Sequence, residues 1–269
     1  MRPQADLLRE PWNALIILDA CRADSLARRL PGVETVQSMS WITFGWVRAL
    51  VRLFGREPLL CISSNPVVER ELRSHRHAWQ VRSVWADGWG RHGPCAMPGV
   101  APAQTAFALA QHLSVHGQPA RLVVHFLQPH VPYIGDPCLP YSGWGGGMRD
   151  PLSQAVAEYL SVEDALARGL CTIEEVRAAY EANLDVVLPF ALAAARDWLR
   201  GTVVISADHG ELLALEGEDG RYGHAQRHPR LYEVPWLAFD NGPFEPAALP
   251  PLGPPADPTH QKLRALGYE

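Results

Sequence analysis

The chain has 269 residues, of which 47% are hydrophobic, so it is long enough to bury a sizeable core and its composition excludes a disordered protein. Its 24 basic and 29 acidic residues give a net charge of -5. Because this balance creates no field of a single sign, it disfavours a polyanion-binding surface, and we expect no nucleic-acid partner.

Apolar runs rich in β-branched residues predict five buried strands, at residues 14–19, 58–63, 121–127, 202–208 and 234–239. Helical patterns predict helices at 22–30, 43–54, 66–73, 102–116, 152–168 and 172–199, the last with a kink at Pro189. Strands that alternate with helices form βαβ crossovers. The sequence therefore predicts an α/β fold, in which a doubly wound, mostly parallel sheet carries helices on both faces, as a single domain over residues 1–269.

Two stretches depart from this alternation. Residues 128–151 are dense in Pro, Gly and aromatic residues, which predicts a long ordered loop over a site. Residues 241–259 are rich in proline and are expected to run extended along the surface.

Nothing in the sequence indicates export or membrane insertion. The opening MRPQADLLREPWN does not have the apolar stretch of a secretory signal, and no run approaches the roughly 18 uncharged residues of a membrane span. The five cysteines are scattered without a CxxC pair, which is typical of reduced thiols: Cys21, Cys61, Cys95, Cys138 and Cys171. We therefore expect a soluble cytoplasmic protein with no membrane anchor.

Carboxylates and imidazoles recur where the predicted strands end, and ligands of doubly wound sheets bind at that edge. Singly, an aspartate after a strand often caps the next helix, and a histidine in an apolar run is more often a core residue. Together they supply the oxygen and nitrogen donors that Zn²⁺ or Mn²⁺ prefers. The candidates are Asp19, His125, His130, Asp208, His209 and His224.

Five segments in register resemble the alkaline phosphatase superfamily, in particular its sulfatase and phosphoethanolamine-transferase branch. They are LIILDACRADSL, VVHFLQPHVPY, VVISADHGELL, YGHAQRH with LYEVPWLAF, and the closing KLRALGYE. The resemblance runs from residue 14 to the C-terminus. It implies an alkaline-phosphatase-like core and an enzyme that acts on phosphate or sulfate esters.

The resemblance also implies a nucleophile, since members of this branch use a Thr, Ser or formylglycine that sits on the metal and forms a covalent intermediate. The matching segment is SMSWITFGWVRAL, in which Thr43 fits the family pattern best and Ser40 is the main alternative. The start of the predicted helix favours an anionic ester. Capping that helix is the ordinary structural role of such a threonine.

The family resemblance also implies which residues bind metal ions. The resemblance implies one divalent ion held by Asp19, Asp208, His209 and Thr43. His130 and His224, with His125 behind them, would bind a second ion or give a proton to the leaving oxygen. Zn or Mn is expected first, with Ca or Mg as alternatives. Glu211 either orients a ligand histidine or is solvated.

One departure from the family favours phosphate over sulfate. Formylglycine sulfatases need Cys-x-Pro-x-Arg or Cys-x-Ala-x-Arg, but CRADS and CLPYS carry Ser25 and Ser142 in place of the arginine. We therefore expect a metal-dependent hydrolase or transferase of phosphate mono- or diesters that works through a covalent threonine intermediate on a small or glycan-type anionic ester. The alternatives are a sulfatase-like enzyme without formylglycine and a catalytically silent binding module.

Overall fold

The structure is a computed structural model that describes residues 1–142 and 159–250. Three sequence predictions fall partly outside these ranges: the loop at 128–151, the helix at 152–168 and the proline-rich segment at 241–259. The closing KLRALGYE lies wholly outside the described residues.

A central sheet of seven strands organises the described chain. In chain order the strands are β1 (Ala14–Asp19), β2 (Glu34–Gln37), β3 (Leu59–Ser63), β4 (Trp79–Ser83), β5 (Gly90–His92), β6 (Met97–Gly99), β7 (Leu122–Pro129), β8 (Thr202–Ser206), β9 (Leu212–Leu213), β10 (Tyr222–Gly223) and β11 (Glu233–Asp240). The order in the central sheet is β2-β11-β8-β1-β7-β3-β4. Strands β4, β3, β7, β1 and β8 run parallel, and β11 is antiparallel to both β8 and β2. The predicted α/β fold with a mostly parallel sheet is confirmed.

The helices follow the predicted alternation. They are α1 (Gln4–Leu7), α2 (Ala23–Ala27), α3 (Thr43–Phe54), α4 (Pro66–Arg73), α5 (Val84–Gly88), α6 (Pro102–His116), α7 (Val162–Ala167) and α8 (Ile173–Ala193). Helices α3, α4 and α6 begin and end at the predicted residues. The predicted helix at 172–199 is regular only to Ala193 and continues as a π-helical turn, Ala194–Trp198.

Burial explains which strands the sequence revealed. Every residue of β1, β3 and β7 is buried, as expected for strands covered on both faces. The edge strands β2 and β4 are partly exposed and were not predicted, since ETVQ and WQVRS form no continuous apolar run.

A buried glutamine fixes the start of α3 relative to the end of β8. The Gln4 side chain donates to Ser206 Oγ and to the carbonyl oxygen of Ala207, both at 2.9 Å. Its Oε1 accepts from the indole N–H of Trp46 on α3, also at 2.9 Å. Because Gln4 is fully buried, these bonds compete little with water and hold the two elements in one arrangement.

The prediction that all five thiols are reduced is wrong for one pair. Cys95 and Cys138 form a disulfide, with their Cα atoms 6.0 Å apart. They lie 43 residues apart, on the loop between β5 and β6 and on the segment after β7, so no local spacing pattern reveals the pairing. The other three cysteines are free and buried.

The long helix also satisfies a test for membrane spans. Among the described residues, the 26-residue stretch Ile173–Trp198 is long and apolar enough to cross a membrane by length and composition. More than half of its most apolar window is buried inside the protein, and α8 packs against β7. A core helix passes the same test, so this feature is a weak indication of a span.

Replacing Cys95 and Cys138 together by serine is expected to lower the free energy of unfolding by about 2–4 kcal/mol, because the unfolded chain loses a cross-link that closes a long loop. Urea unfolding with and without reductant measures this. Reductant should destabilise the wild type and leave the double variant unchanged. Titration of five free thiols in the denatured, unreduced protein would contradict the pairing.

Candidate active site

Four polar side chains meet at the carboxyl edge of three neighbouring strands. Asp19 is the last residue of β1, His125 lies in β7, and Asp208 and His209 follow β8. All four are 0% exposed. Because buried ionisable groups are costly unless they are paired or bind a cation, this cluster needs a compensating partner.

Each carboxylate keeps one oxygen without a hydrogen bond. Oδ1 of Asp208 accepts from the backbone N–H groups of Ala20 at 3.1 Å and of His209 at 3.0 Å. Oδ2 of Asp19 accepts from the Asn65 side-chain amide. The remaining oxygens, Asp19 Oδ1 and Asp208 Oδ2, have no hydrogen-bond partner among the described residues.

The two histidines add nitrogen donors to these oxygens. Nε2 of His209 lies 3.7 Å from Asp19 Oδ1 and 3.5 Å from Asp208 Oδ2. Its Nδ1 lies 2.8 Å from the carbonyl oxygen of Gly210, which fixes the proton on Nδ1 and leaves the Nε2 lone pair for the site. Neither ring nitrogen of His125 has a hydrogen-bond partner in the described part of the chain, and its Nε2 is 3.7 Å from Asp208 Oδ2.

This donor set fits a divalent cation. Ligand atoms of Asp19, His125 and Asp208 all lie within 4.8 Å of one another. Oxygen and imidazole nitrogen atoms left without protein partners in a buried cluster are the ligands that Zn²⁺ or Mn²⁺ takes. Together with His209, the cluster therefore defines a candidate metal site, which we call the first cluster.

Burial and neighbouring charges shift the pKa values of the two carboxyl groups in opposite directions. Burial raises the pKa of Asp19 well above its ordinary value, and the neighbouring Asp208 charge raises it further. Burial would also raise the pKa of Asp208, but interactions with His209 and then His125 hold this pKa below its ordinary value. A bound cation would stabilise the ionised forms of both.

Thr43 begins α3 and touches the first cluster. Its Oγ1 lies 3.3 Å from His209 Nε2, and the side chain is buried. The N-cap of α3 is Ile42, and no described side chain caps the helix, so the first-turn N–H groups keep their capacity to bind an anion. The Ser40 hydroxyl instead accepts from the backbone N–H of Ile42 at 3.3 Å.

A second cluster adjoins the first and consists of His130, Glu211 and His224, whose ligand atoms also lie within 4.8 Å of one another. Glu211 Oε1 is 2.9 Å from His224 Nδ1. The His224 ring lies 5.1 Å from the His130 ring and 4.4 Å from that of His209, measured between centroids. The two clusters are therefore in contact.

The imidazoles of the second cluster differ in basicity. Burial, and then the nearby His224, lower the pKa of His130 to about 4. Burial would also lower the pKa of His224, but the Glu211 carboxylate offsets this and raises it above the ordinary value. The pKa of Glu211 is lowered by His224 despite burial. His224 is therefore the more basic of the two.

The structure brings the predicted ligands Asp19, Asp208, His209 and Thr43 together. It places His125 in the first cluster, where the pairing of β7 with β1 sets it opposite Ile17, and not behind the second cluster. Glu211, for which the sequence left two roles open, is buried against His224.

The sequence analysis did not identify Asn65 as part of the site. Its Oδ1 accepts from the Val67 N–H at 2.7 Å and so caps α4, while its amide donates to Asp19. The available signal was its position, two residues past β3 at the same sheet edge as the other polar residues.

The turn after Asp19 is held in an unusual conformation. Ala20 has a φ of 57°, in the left-handed region that L-residues rarely adopt. Its N–H donates to Asp208, and its carbonyl oxygen accepts from the Tyr180 hydroxyl at 2.9 Å. These two bonds hold the turn in place.

No protein-family model matches the chain, and no curated protein matches it in sequence. Solved structures do match. The soluble domain of lipooligosaccharide phosphoethanolamine transferase A from Neisseria meningitidis matches with a TM-score of 0.54 at 15% identity, over 89% of this chain and 78% of that one. The integral membrane protein of that name from the same organism matches with a TM-score of 0.51 at 14% identity, over 85% of this chain and 47% of that one.

A third match is the C-terminal periplasmic domain of phosphoethanolamine transferase EptC from Campylobacter jejuni, with a TM-score of 0.47 at 14% identity over 85% of this chain and 78% of that one. The fold of the described residues is therefore an α/β fold of the alkaline-phosphatase-like class. Within that class, the chain has the fold of the phosphoethanolamine transferase soluble domain, which confirms the family resemblance at the level of the fold.

The expectation of a cytoplasmic protein is wrong. The solved structures that share the fold with a TM-score above 0.5 are described as the soluble domain of a lipooligosaccharide phosphoethanolamine transferase and as the integral membrane protein of that name. The Cys95–Cys138 disulfide agrees with this correction, since disulfides persist mainly in oxidising compartments. The sequence misled because neither the composition nor the cysteine spacing reports the compartment.

Adding Zn²⁺ or Mn²⁺ to chelator-treated protein is expected to raise its unfolding temperature. At a metal concentration of a hundred times Kd, binding should stabilise the folded state by about 2.7 kcal/mol. Asp208→Asn should remove most of this gain, because it weakens a ligand of the first cluster. Asp240→Asn, at the exposed far end of β11, is the matched control and should keep it. A thermal scan with metal analysis checks this, and an equal gain in both variants would contradict the site.

Proposed function

We propose that the protein is a metal-dependent enzyme that transfers the phosphoryl group of phosphate esters through a covalent intermediate on Thr43. The observation that carries this proposal is the position of Thr43 Oγ1, which lies 3.3 Å from His209 Nε2. Beside it are two buried carboxylates, each with an oxygen that has no hydrogen-bond partner within residues 1–142 and 159–250. A hydroxyl next to a candidate metal site and at an uncapped helix start is suited to attack an anionic ester.

In the proposed first step, the Thr43 hydroxyl gives up its proton to water, and its oxygen forms a bond to phosphorus while the bond from phosphorus to the leaving oxygen breaks. Asp19, His125, Asp208 and His209 would hold a divalent ion, which supplies charge neutralisation and lowers the pKa of a nearby hydroxyl. The first-turn N–H groups of α3 donate to the phosphoryl oxygens. In the second step, water or an acceptor hydroxyl attacks phosphorus, the bond from phosphorus to the Thr43 oxygen breaks, and that oxygen regains a proton from water.

The second cluster is proposed to serve the leaving and entering oxygens. Glu211 orients His224, whose ring faces His209, so a proton held on His224 can pass to the leaving oxygen and return in the second step. Alternatively, His130, Glu211 and His224 bind a second ion for the same oxygens. The metal content of the purified protein separates these roles, since the first requires one ion and the second requires two.

Phosphate is favoured over sulfate because Thr43 occupies the nucleophile position and no cysteine stands in a formylglycine motif. Two of the matched structures are described as a phosphoethanolamine transferase, which supports transfer to an acceptor alcohol beside hydrolysis. Sulfate ester cleavage without formylglycine and a silent binding module remain the alternatives that the experiment must separate.

Thr43→Ala is expected to lower kcat by at least about 10³-fold, because the covalent route is lost. Thr43→Ser should retain measurable turnover, since it keeps the hydroxyl. Rates on p-nitrophenyl phosphate, bis-p-nitrophenyl phosphate and p-nitrophenyl sulfate, with single-turnover trapping of a phosphorylated peptide, measure both effects.

Ser40→Ala is the matched control and should keep most of the activity. If the trapped phosphoryl group is found on Ser40 and not on Thr43, then Ser40 is the nucleophile. Turnover of the sulfate alone would replace the proposed substrate class. A metal-loaded protein that cleaves none of the three esters and takes no label would support the silent module.

A further inference from the structure

An exposed arginine lies over two aromatic rings next to the active site. The guanidinium carbon of Arg227 is 5.6 Å from the centroid of the Trp41 ring and 5.5 Å from that of Tyr232. The two rings are 6.2 Å apart and tilted by 50°. Such contacts hold a cation in place through the negative faces of the rings without neutralising its charge.

The charge of Arg227 has no opposite partner in the described part of the chain, where no carboxylate lies within 4 Å of its guanidinium. By contrast, Arg230 nearby pairs with Glu233 at 2.7 Å. The positive charge of Arg227 is therefore accessible to solvent, is held in place by two aromatic rings, and forms no ion pair with a carboxylate of the described residues.

Both segments that build this contact lead directly out of the active site. Trp41 precedes Thr43 by two residues, so their Cα atoms are at most about 7.6 Å apart. Arg227 follows His224 by three residues, and the His224 ring is 4.4 Å from that of His209. The guanidinium therefore belongs to a contact between two segments that border the site.

Arg227 and Tyr232 also form part of the wall of a groove of about 500 Å³, which Met1, His228 and Pro229 line as well. Gln37 at the end of β2 and Glu233 at the start of β11 also line it and pair with each other. Because β11 is antiparallel to β8, its start lies at the carboxyl edge of the sheet, where the candidate metal site also lies. The groove and the candidate metal site thus lie at the same edge of the sheet.

We propose that Arg227 binds a second anionic group of the substrate, separated from the reacting phosphate and lying towards this groove. The preferred substrates are then esters with two separated anionic groups, such as a phosphate with a carboxylate or with another phosphate. This inference rests on the proposed function, because it takes the reacting phosphate to be bound at Thr43. The planar guanidinium pairs with two oxygens of such a group at once.

A second arginine stacks on an aromatic ring at the opposite edge of the sheet. Arg196 lies over the Phe239 ring at 5.8 Å and is also exposed. Phe239 pairs with Val203 near the start of β8, at the edge of the sheet opposite the site. Arg196 therefore makes the same kind of contact without access to the substrate, and it provides a matched control.

The test compares two probe series by calorimetry on the metal-loaded protein. One series consists of alkylphosphonates, and the other consists of ω-carboxyalkylphosphonates of the same chain lengths. In the wild type, the carboxylate should improve Kd by at least about fivefold at a matching length, a gain at the upper end for an exposed ion pair. Arg227→Gln should abolish this gain and leave alkylphosphonate binding unchanged, whereas Arg196→Gln should retain it.

The outcomes separate this inference from the proposed function. If alkylphosphonates bind but the carboxylate adds nothing at any length, or if Arg227→Gln keeps the gain, the role of Arg227 is refuted and the phosphate site stands. If alkylphosphonates do not bind to the metal-loaded wild type, the proposed function fails and the inference fails with it.

Discussion

Two carboxylates, Asp19 and Asp208, approach each other in a fully buried space at the ends of neighbouring strands, and each keeps one oxygen that accepts no hydrogen bond from the residues that the structure describes. Such an arrangement is unfavourable for a metal-free protein, because desolvation and mutual repulsion both oppose ionisation. The surrounding residues reduce this cost only in part. The cluster is therefore best understood as built around a cation that completes it.

The remaining architecture serves to hold these oxygens in place. Asn65 orients Asp19 from the loop after β3, and two backbone N–H groups orient Asp208. Gln4 links α3 to the exit of β8, which sets the position of Thr43 against His209. Binding and catalytic groups that are fixed in this way need little rearrangement when a charged ligand arrives.

Local signals were sufficient for much of the fold. Helices α4 and α6 begin at prolines, which suit a first helical position, and Gly55 follows α3 where it ends. Continuous apolar runs revealed the central strands. The polar residues at strand exits could be placed at one edge because parallel strands share that edge.

The features that the sequence did not predict all depend on contacts between residues that are distant in the chain. The edge strands β2 and β4 depend on pairing with neighbours that a local pattern does not show. The Cys95–Cys138 bond, the Asn65 contact with Asp19 and the place of His125 in the first cluster are all set by tertiary packing. Residue type predicted the donor set, whereas the grouping of the donors required the register of the sheet.

The left-handed turn at Ala20 has a consequence for the order of folding. Conformations of this kind cost on the order of 1–3 kcal/mol and persist only when surrounding contacts impose them. Here the contacts come from Asp208 and Tyr180, 188 and 160 residues away in sequence. The first strand and its turn can therefore emerge early from the ribosome, yet the ligand geometry at Asp19 is completed only when the distant half of the chain has folded against it. The geometry of the candidate metal site is thus set by non-local contacts and not by the first strand alone.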